Sequence, residues 1–301
     1  MLKLFKIVFP VIAFAFLGAL IFDYWPEAVA TDWQINIRLL LFSLLALVLI
    51  FLMDAYGWWL ILKVSGEKIS AFDAIAIWLR SSLTRYIPGV VWAYASRVVL
   101  SEEYGVTKRS CIISIVAESV MLALGSFTIG LPILLTVLEI NSTIATFLGL
   151  LCIATILFSL SGPGFSLLSK LPLVGRHINN SEFSRCQWRW AIYFFYCFFW
   201  LCFSAVFLLF LASINIQFKS FSELYLAGSA FSISFCIGFV LIVFPGGLGI
   251  REVTLYGFLS MLTSPMVAIS VSVASRLWLI LGELASLAIF LVAVFLRRSQ
   301  R

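Results

Sequence analysis

The stretch Phe-Pro-Gly-Gly-Leu-Gly-Ile-Arg-Glu, residues 244–252, decides how the rest of the chain must fold. It ends a long apolar run that begins at residue 227, and it combines a proline, three glycines and two opposite charges. A lipid-exposed helix cannot tolerate this combination, because each freed backbone group would lack a partner and each charge would lose its water. The stretch is therefore expected to be buried in protein or to line a wet cavity. The alternative is a turn outside the bilayer, with Arg251 and Glu252 solvated.

The composition predicts an all-α, polytopic membrane protein. The 301 residues are 63% hydrophobic and 11% charged, and the mean hydropathy is +1.12. A soluble domain with this balance would have too little polar surface to present to water. The net charge of +6 lies mostly in short loops, where it marks the cytoplasmic side and does not indicate nucleic-acid binding. We expect one membrane domain over residues 1–301, with membrane lipids as partners.

The sequence favours neither a metal site nor a catalytic triad. The six cysteines lie mostly inside apolar segments, at spacings that match no metal motif. His177 is the only histidine, so a histidine-based metal site or a Ser-His-Asp triad lacks its partners. We therefore expect no metal, no cofactor and no enzymatic activity.

Long apolar segments predict about six membrane-crossing helices, at residues 5–22, 39–62, 110–138, 143–160, 191–214 and 266–296. The first segment resembles a signal peptide, but its length favours a membrane helix. Asp54 is expected near the inner interface as a solvated or helix-capping carboxylate. The distribution of Lys and Arg places both termini in the cytoplasm.

Residues 73–100 are apolar on average but contain three arginines and a break at Pro88-Gly89. The segment is too short for two crossings and too broken for one. A re-entrant hairpin, which enters from the cytoplasm and returns to it, satisfies both limits. An interfacial pair of amphipathic helices, with its arginines on lipid phosphates, is the alternative.

The positive-inside rule predicts a second hairpin at residues 223–262, because this segment must begin and end outside the cell. The two hairpins would then enter from opposite faces. Gly125 and Gly282 lie equally far along the chain from Pro88 and Pro245, and Glu118 and Arg276 nearly so. Residues 38–138 and 190–296 thus predict the two halves of an inverted repeat, an architecture typical of transporters.

The charged residues of these halves are candidates for one binding site. Guanidinium groups bind phosphate in a bidentate manner, carboxylates serve as counter-ions, and glycines allow the backbone to approach a headgroup. The candidates are Arg85, Arg97, Arg251 and Arg276; Glu118, Glu252 and Glu283; and Pro88, Gly89, Pro245, Gly246, Gly247 and Gly249. The alternative is that the charges only pair with each other and hold the bundle together.

Two motifs carry a resemblance to a known family. Residues 85–92 with Arg97, and residues 245–252, resemble the paired motifs of the flippase-like membrane family, which is related to the membrane domain of lysylphosphatidylglycerol synthases. The resemblance implies a multi-pass protein of the prokaryotic plasma (inner) membrane that moves a lipid with a polar headgroup between leaflets. Full-length synthases of that family carry a soluble aminoacyl transferase domain after the membrane domain. Because the sequence as given ends at Arg301, we do not expect aminoacyl transfer from the resemblance. A polyprenyl-linked or other anionic lipid of cell-envelope assembly is the implied cargo.

The leading hypothesis is therefore a lipid flippase or scramblase. The sequence contains no nucleotide-binding motif, so movement would run downhill or be coupled to H+ or Na+. One alternative is a membrane-embedded lipid-modifying enzyme with Glu118 or Glu252 as general base. Another is a non-catalytic membrane partner of a glycosyltransferase. A homo-oligomer is compatible with each hypothesis.

Overall fold

The fold is given by a computed structural model that describes residues 22, 26, 33–86, 92–137, 149–150, 154, 186–240 and 249–299. The helices within this part of the chain are α1 (Ile37–Val64), α2 (Ala71–Ser82), α3 (Trp92–Glu102), α4 (Lys108–Val137), α5 (Cys186–Ser213), α6 (Phe221–Val240), α7 (Ile250–Leu259) and α8 (Pro265–Ser299). A short 3-10 helix, Leu83–Tyr86, follows α2. The described residues form no strand, as the all-α prediction requires.

Helix α1 shows how local sequence sets the ends of a membrane helix. The side chain of Asn36 accepts a hydrogen bond from the Leu39 amide at 3.2 Å, which satisfies one of the unpaired N–H groups of the first turn. The helix ends at Val64, and Gly66 then takes a φ of 87°. Glycine adopts this left-handed conformation without steric cost. The sequence prediction for this helix is correct to within one turn.

Five described helices are long and apolar enough to cross a membrane: α1, α4, α5, α6 and α8. Four of them match predicted crossings. The predicted crossings at residues 5–22 and 143–160 lie almost entirely outside the described residues. The fifth, α6, was predicted to be the first arm of a hairpin, and its 20 residues give a length of about 30 Å, sufficient for a full crossing.

Helices α2 and α3 are too short to cross, with 12 and 11 residues. Side-chain hydrogen bonds join the two arms. The Arg97 Nε atom donates to the Ser81 hydroxyl at 3.2 Å, and the hydroxyls of Thr84 and Ser96 lie 2.9 Å apart. The two arms therefore form one packed unit, while the break between them, at residues 87–91, lies outside the described residues.

The loops at the two ends of the α2–α3 unit meet at one end of the bundle. The hydroxyl of Thr107, just after the unit, donates to the carboxylate of Glu67, just before it, at 3.3 Å. This is also the end at which α1 finishes. The α2–α3 unit thus starts and finishes near the C-terminal end of α1.

The loops at the two ends of the α6–α7 unit meet at the opposite end of α1. Gln217, before α6, and Thr263, after α7, line one groove together with Gln34, just before α1. The amide of Asn36 also donates to the carbonyl of Ser213 at 2.7 Å, which fixes the start of α1 beside the end of α5. The α6–α7 unit therefore starts and finishes near the N-terminal end of α1.

Aromatic rings fill the interface between α5 and α6. Phe207 stacks on Phe231 at a centroid distance of 4.2 Å, and Phe203 lies edge-on to Phe231 at 5.0 Å. Such pairs contribute about 0.5–1.5 kcal/mol each beyond the area they bury. The opposite faces of the long helices expose apolar side chains, for example Leu49, Phe198 and Leu281, as lipid-facing surfaces do.

One charged residue lies deeper than its sequence position indicates. Arg189 precedes the predicted crossing at residues 191–214, but it lies in the first turns of α5 and is only 1% exposed. The helix begins at Cys186, five residues before the predicted start at residue 191.

Candidate functional site

Arg97 on α3 and Glu118 on α4 form an ion pair inside the bundle. The Nη1 atom of Arg97 lies 2.5 Å from Oε2 of Glu118, and both side chains are 5% exposed. Buried charges are tolerated only when they are paired and hydrogen-bonded. This pair meets that condition, so it holds the α3 arm against α4.

Two tryptophans enclose the Arg97–Glu118 pair. The guanidinium of Arg97 lies 5.1 Å from the ring centroid of Trp58 and 5.4 Å from that of Trp78, within cation–π distance. The same indoles donate to α4: Trp58 to Ser114 at 2.9 Å and Trp78 to Oε1 of Glu118 at 2.8 Å. Both carboxylate oxygens of Glu118 therefore have a donor.

A second ion pair joins α7 and α8. The Nη1 atom of Arg276 donates to Oε1 of Glu252 at 3.2 Å. The side chain of Glu252 is 8% exposed, whereas that of Arg276 is 22% exposed. This pair is longer and more accessible than the Arg97–Glu118 pair.

The start of α7 is built around Gly249 and Glu252. Gly249 has a φ of 84°, a conformation that a residue with a Cβ adopts only at a cost of about 1–2 kcal/mol. Its amide donates to Oε2 of Glu252 at 2.9 Å. Glu252 thus satisfies a backbone donor with one oxygen and binds Arg276 with the other, which fixes its position in the first turn of α7.

Arg251 and Glu283 are the other two predicted site charges whose side chains the structure describes. The guanidinium carbon of Arg251 lies 4.1 Å from the ring centroid of Phe235 on α6, and the residue is 8% exposed. Glu283 on α8 is 5% exposed. Both are therefore in the protein interior, as the sequence predicts for residues that do not face lipid.

The structure brings the predicted charges together as two pairs, Arg97–Glu118 and Arg276–Glu252. It shows no direct contact between the two pairs within the described residues. Such pairing is expected of a binding site and equally of charges that only stabilise the bundle. Pro88, Gly89, Pro245, Gly246 and Gly247 lie outside the described residues, as does the side chain of Arg85.

The sequence prediction missed the side chains that surround the first pair: Trp58, Trp78, Ser81 and Ser114. A tryptophan inside an apolar segment is the available indication, because its indole N–H needs an acceptor when it is buried. Asp54 caps neither end of α1, because the helix continues for more than two turns beyond it. The residue is partly exposed, and its Oδ1 atom is buried.

Within the part of the chain that the structure describes, no cluster of three or more His, Cys, Asp or Glu side chains could hold a metal ion. The cysteines at positions 111, 197, 202 and 236 are free thiols. The two ion pairs themselves present guanidinium N–H donors and carboxylate acceptors, the groups that form charge-assisted hydrogen bonds.

The fold and these pairs define a polytopic helical membrane protein with ionisable groups buried in its bundle. The chain belongs to the family described as the lysylphosphatidylglycerol synthase TM region, whose family model matches residues 7–285. This match confirms the resemblance drawn from the two motifs. A comparison with curated proteins gives no match to the chain.

Proposed function

We propose that this protein moves an anionic lipid between the leaflets of the prokaryotic plasma membrane, as a flippase or scramblase in cell-envelope assembly. The observation that carries the proposal is the Arg276–Glu252 pair. The side chain of Glu252 is 8% exposed, and the residue follows the Pro-Gly-Gly-Leu-Gly sequence at 245–249 with Arg251 as its chain neighbour. Ionisable residues at such a position mark the pathway of a substrate more often than they serve packing alone.

The chemistry of this pair suits a phosphate headgroup. A guanidinium binds phosphate and carboxylate with the same fork of N–H donors, so a lipid phosphate can replace Glu252 on Arg276. The partial exposure of Arg276, 22% against 5% for Arg97, makes the second pair the accessible one. The acyl or prenyl chains would stay in the lipid while the headgroup crosses.

The positions of the loops support two oppositely oriented hairpins. The α2–α3 unit has both ends near the C-terminal end of α1, where Thr107 contacts Glu67. The α6–α7 unit has both ends near the N-terminal end of α1, where Gln217 and Thr263 line one groove with Gln34. Since α1 is long enough to cross the membrane, the two units open toward opposite faces.

Close contacts between the halves 38–138 and 190–296 support the inverted repeat. A Cβ at Gly125 on α4 would lie 3.0 Å from the backbone carbonyl of Tyr196 on α5, and one at Gly282 on α8 would collide with Leu47 on α1. The first helix of each half is thus approached by the last helix of the other half at an equivalent glycine. This arrangement is typical of transporters with inverted repeats.

The energy source in this proposal is either the lipid gradient itself or a gradient of H+ or Na+. The buried carboxylates Glu118, Glu252 and Glu283 are the groups that could bind a coupling cation when an arginine leaves its pair.

The test is leaflet exchange of labelled anionic phospholipid and polyprenyl-phosphate probes in proteoliposomes that contain the pure protein. Exchange by the wild type and at least a tenfold loss in Arg276→Ala are expected. Arg38→Ala is the matched control, because Arg38 is exposed on the first turn of α1.

Equal exchange in wild type and Arg276→Ala would remove the second pair from the pathway. No exchange of any anionic probe, with or without a pH or sodium gradient, would refute transport. A covalent change in the lipids extracted from the same vesicles would instead support the lipid-modifying enzyme.

A further inference from the structure

A groove at the N-terminal end of α1 brings together three separate parts of the chain. Its lining comes from the segment just before α1, from the loop between α5 and α6, and from the region between α7 and the first turn of α8. The groove has a volume of about 400 Å³, within the range of about 300–1,000 Å³ that small-molecule sites occupy. It is therefore large enough for a small organic ligand.

The polar side chains that line this groove are uncharged. Gln34, Asn215 and Gln217 supply carboxamides, Thr263 supplies a hydroxyl, and none of the described lining residues is ionised. A carboxamide offers donors and an acceptor together, as a hydroxyl group does. The lining therefore matches a ligand rich in neutral hydroxyl groups better than it matches an ion.

The three carboxamides form a chain of hydrogen bonds. Nδ2 of Asn215 donates to Oε1 of Gln34, and Nε2 of Gln217 donates to Oδ1 of Asn215, both at 3.4 Å. These bonds are longer than the usual length of about 2.7–3.2 Å, so a ligand hydroxyl can replace either of them at little cost. Within the described structure, Nε2 of Gln34 and Oε1 of Gln217 make no hydrogen bond. A ligand thus finds a donor at one end of the chain and an acceptor at the other.

The backbone holds the two segments that carry these carboxamides in place. The amide of Asn36 donates to the carbonyl of Ser213 at 2.7 Å, and the amide of Ile216 donates to the carbonyl of Leu211 at 3.1 Å. The segment before α1 and the α5–α6 loop are therefore joined without help from the side chains that line the groove. Because the groove is organised before a ligand arrives, binding loses less conformational entropy.

Trp33 adds an aromatic side chain to this polar lining. A tryptophan offers an apolar ring face together with an N–H donor. A sugar ring has matching features, namely a surface of C–H groups and a rim of hydroxyls. Uncharged carboxamides beside a tryptophan therefore favour a neutral saccharide.

The groove is a separate site from the Arg276–Glu252 pair, although both involve α8. Val267 lines the groove and lies nine residues before Arg276 on this helix, which corresponds to about 14 Å along the helix axis. A headgroup whose phosphate has left Arg276 would reach the groove by moving toward the N-terminal end of α8.

We propose that this groove binds the neutral sugar of a glycosylated lipid headgroup at the outer face of the membrane. The inference rests on the proposed function for its place in transport, and on the proposed topology for the face at which the groove opens. Binding of a sugar to the groove needs no transport and is measured separately.

The first experiment measures binding to the purified protein in lipid nanodiscs, which avoids detergents that contain sugars. The probes are soluble disaccharides of glucose, galactose and N-acetylglucosamine, with inorganic phosphate as the charged comparison. We expect at least one disaccharide to raise the thermal unfolding midpoint in a saturable manner. The double substitution Gln34→Ala/Gln217→Ala should raise the half-saturating concentration of that disaccharide at least tenfold.

Ser222→Ala is the matched control, because Ser222 is exposed in the first turn of α6 and does not line the groove. Its half-saturating concentration should stay within a factor of two of the wild type. Gln217→Ala alone, in an exposed loop position, replaces the double variant if the latter does not fold, and should weaken binding several-fold.

Three outcomes of this experiment would overturn the proposal. The first is that no disaccharide gives a saturable shift in the wild type. The second is that the half-saturating concentration is the same in the wild type and in the glutamine variant. The third is a shift by phosphate that the glutamine variant loses, since the groove would then select an anion.

Leaflet exchange gives the second readout. A polyprenyl-phosphate probe that carries a neutral hexose should exchange several-fold faster in the wild type than the same lipid without the sugar. This advantage should disappear in Gln34→Ala/Gln217→Ala and persist in Ser222→Ala. Equal exchange of the two probes in the wild type would overturn the role of the groove in transport. If neither probe is exchanged, the proposed function fails, whereas the binding of the disaccharides still decides whether the groove is a sugar site.

Discussion

Gly130 on α4 lies directly against the backbone of Ile233 on α6. A Cβ at Gly130 would be 2.7 Å from the Ile233 amide nitrogen and 2.8 Å from its Cα atom. These are backbone atoms, so no change of side-chain rotamer can make room. Helix pairs in membranes approach this closely only where a small residue stands at the crossing, because lipid supplies no hydrophobic force between helices.

We therefore expect Gly130→Ala to destabilise the protein by about 1–3 kcal/mol, the usual cost of overpacking an interior. The measurement is thermal unfolding of the purified protein in detergent. Gly257→Ala on α7 is the control, because a Cβ at Gly257 meets no atom within 4 Å. An equal effect of the two substitutions would show that α4 and α6 are not in close contact at this point.

The Arg97–Glu118 pair should contribute far more to stability than a surface pair. Glu118→Ala leaves Arg97 buried without its carboxylate, which typically costs about 3–5 kcal/mol. Glu102 pairs with Lys108 at 3.1 Å, but the side chain of Lys108 is 69% exposed and that of Glu102 is 41% exposed. Glu102→Ala should therefore lower the free energy of unfolding by at most about 1 kcal/mol. Thermal unfolding of the two variants compares their losses of stability. Similar losses would mean that water reaches the Arg97–Glu118 pair.

The start of α7 should respond to backbone and side-chain changes separately. Gly249→Ala should cost about 1–2 kcal/mol because of its positive φ. Glu252→Gln keeps an oxygen for the Gly249 amide but loses the charge that binds Arg276, whereas Glu252→Ala loses both. We expect stability to fall in the order wild type, Glu252→Gln, Glu252→Ala in thermal unfolding. If the Gln and Ala variants are equal, the hydrogen bond to Gly249 contributes nothing measurable.

The long helices are predictable from the sequence for a simple reason. A crossing of the bilayer requires a long apolar run, and the runs that form α1, α4 and α8 have that length regardless of their neighbours. Which charges pair with each other cannot be predicted from apolar runs in this way. Arg97 and Glu118 are 21 residues apart and Arg276 and Glu252 are 24 apart, so their contact depends on how separate helices pack.

The residues that the sequence prediction missed have a common cause. Trp58 and Trp78 look the same in sequence whether they face lipid or a buried charge. Only the packing of separate helices places the two indoles on Arg97. The segments that decided the prediction, at Pro88 and at Pro245–Gly247, lie outside the described residues.

The proposed opposite orientation of the two hairpins gives a prediction for the whole molecule. Single cysteines at Glu67 and Thr107 should react with a membrane-impermeant thiol reagent from one face of the membrane. Single cysteines at Gln34, Gln217 and Thr263 should react from the other face. The positive-inside rule assigns the first face to the cytoplasm, because Lys63, Lys68 and Lys108 lie there.

The labelling is carried out in intact cells and in inverted vesicles, in a background whose native cysteines are replaced by alanine. The pair of positions that tests the first hairpin is Glu67 and Thr107, whose side chains are in contact. If those two positions are labelled from opposite faces, the α2–α3 unit crosses the membrane and the inverted repeat is wrong. If Gln217 and Thr263 are labelled from opposite faces, α6 crosses without a returning arm, and the proposed pathway at Arg276 loses its second hairpin.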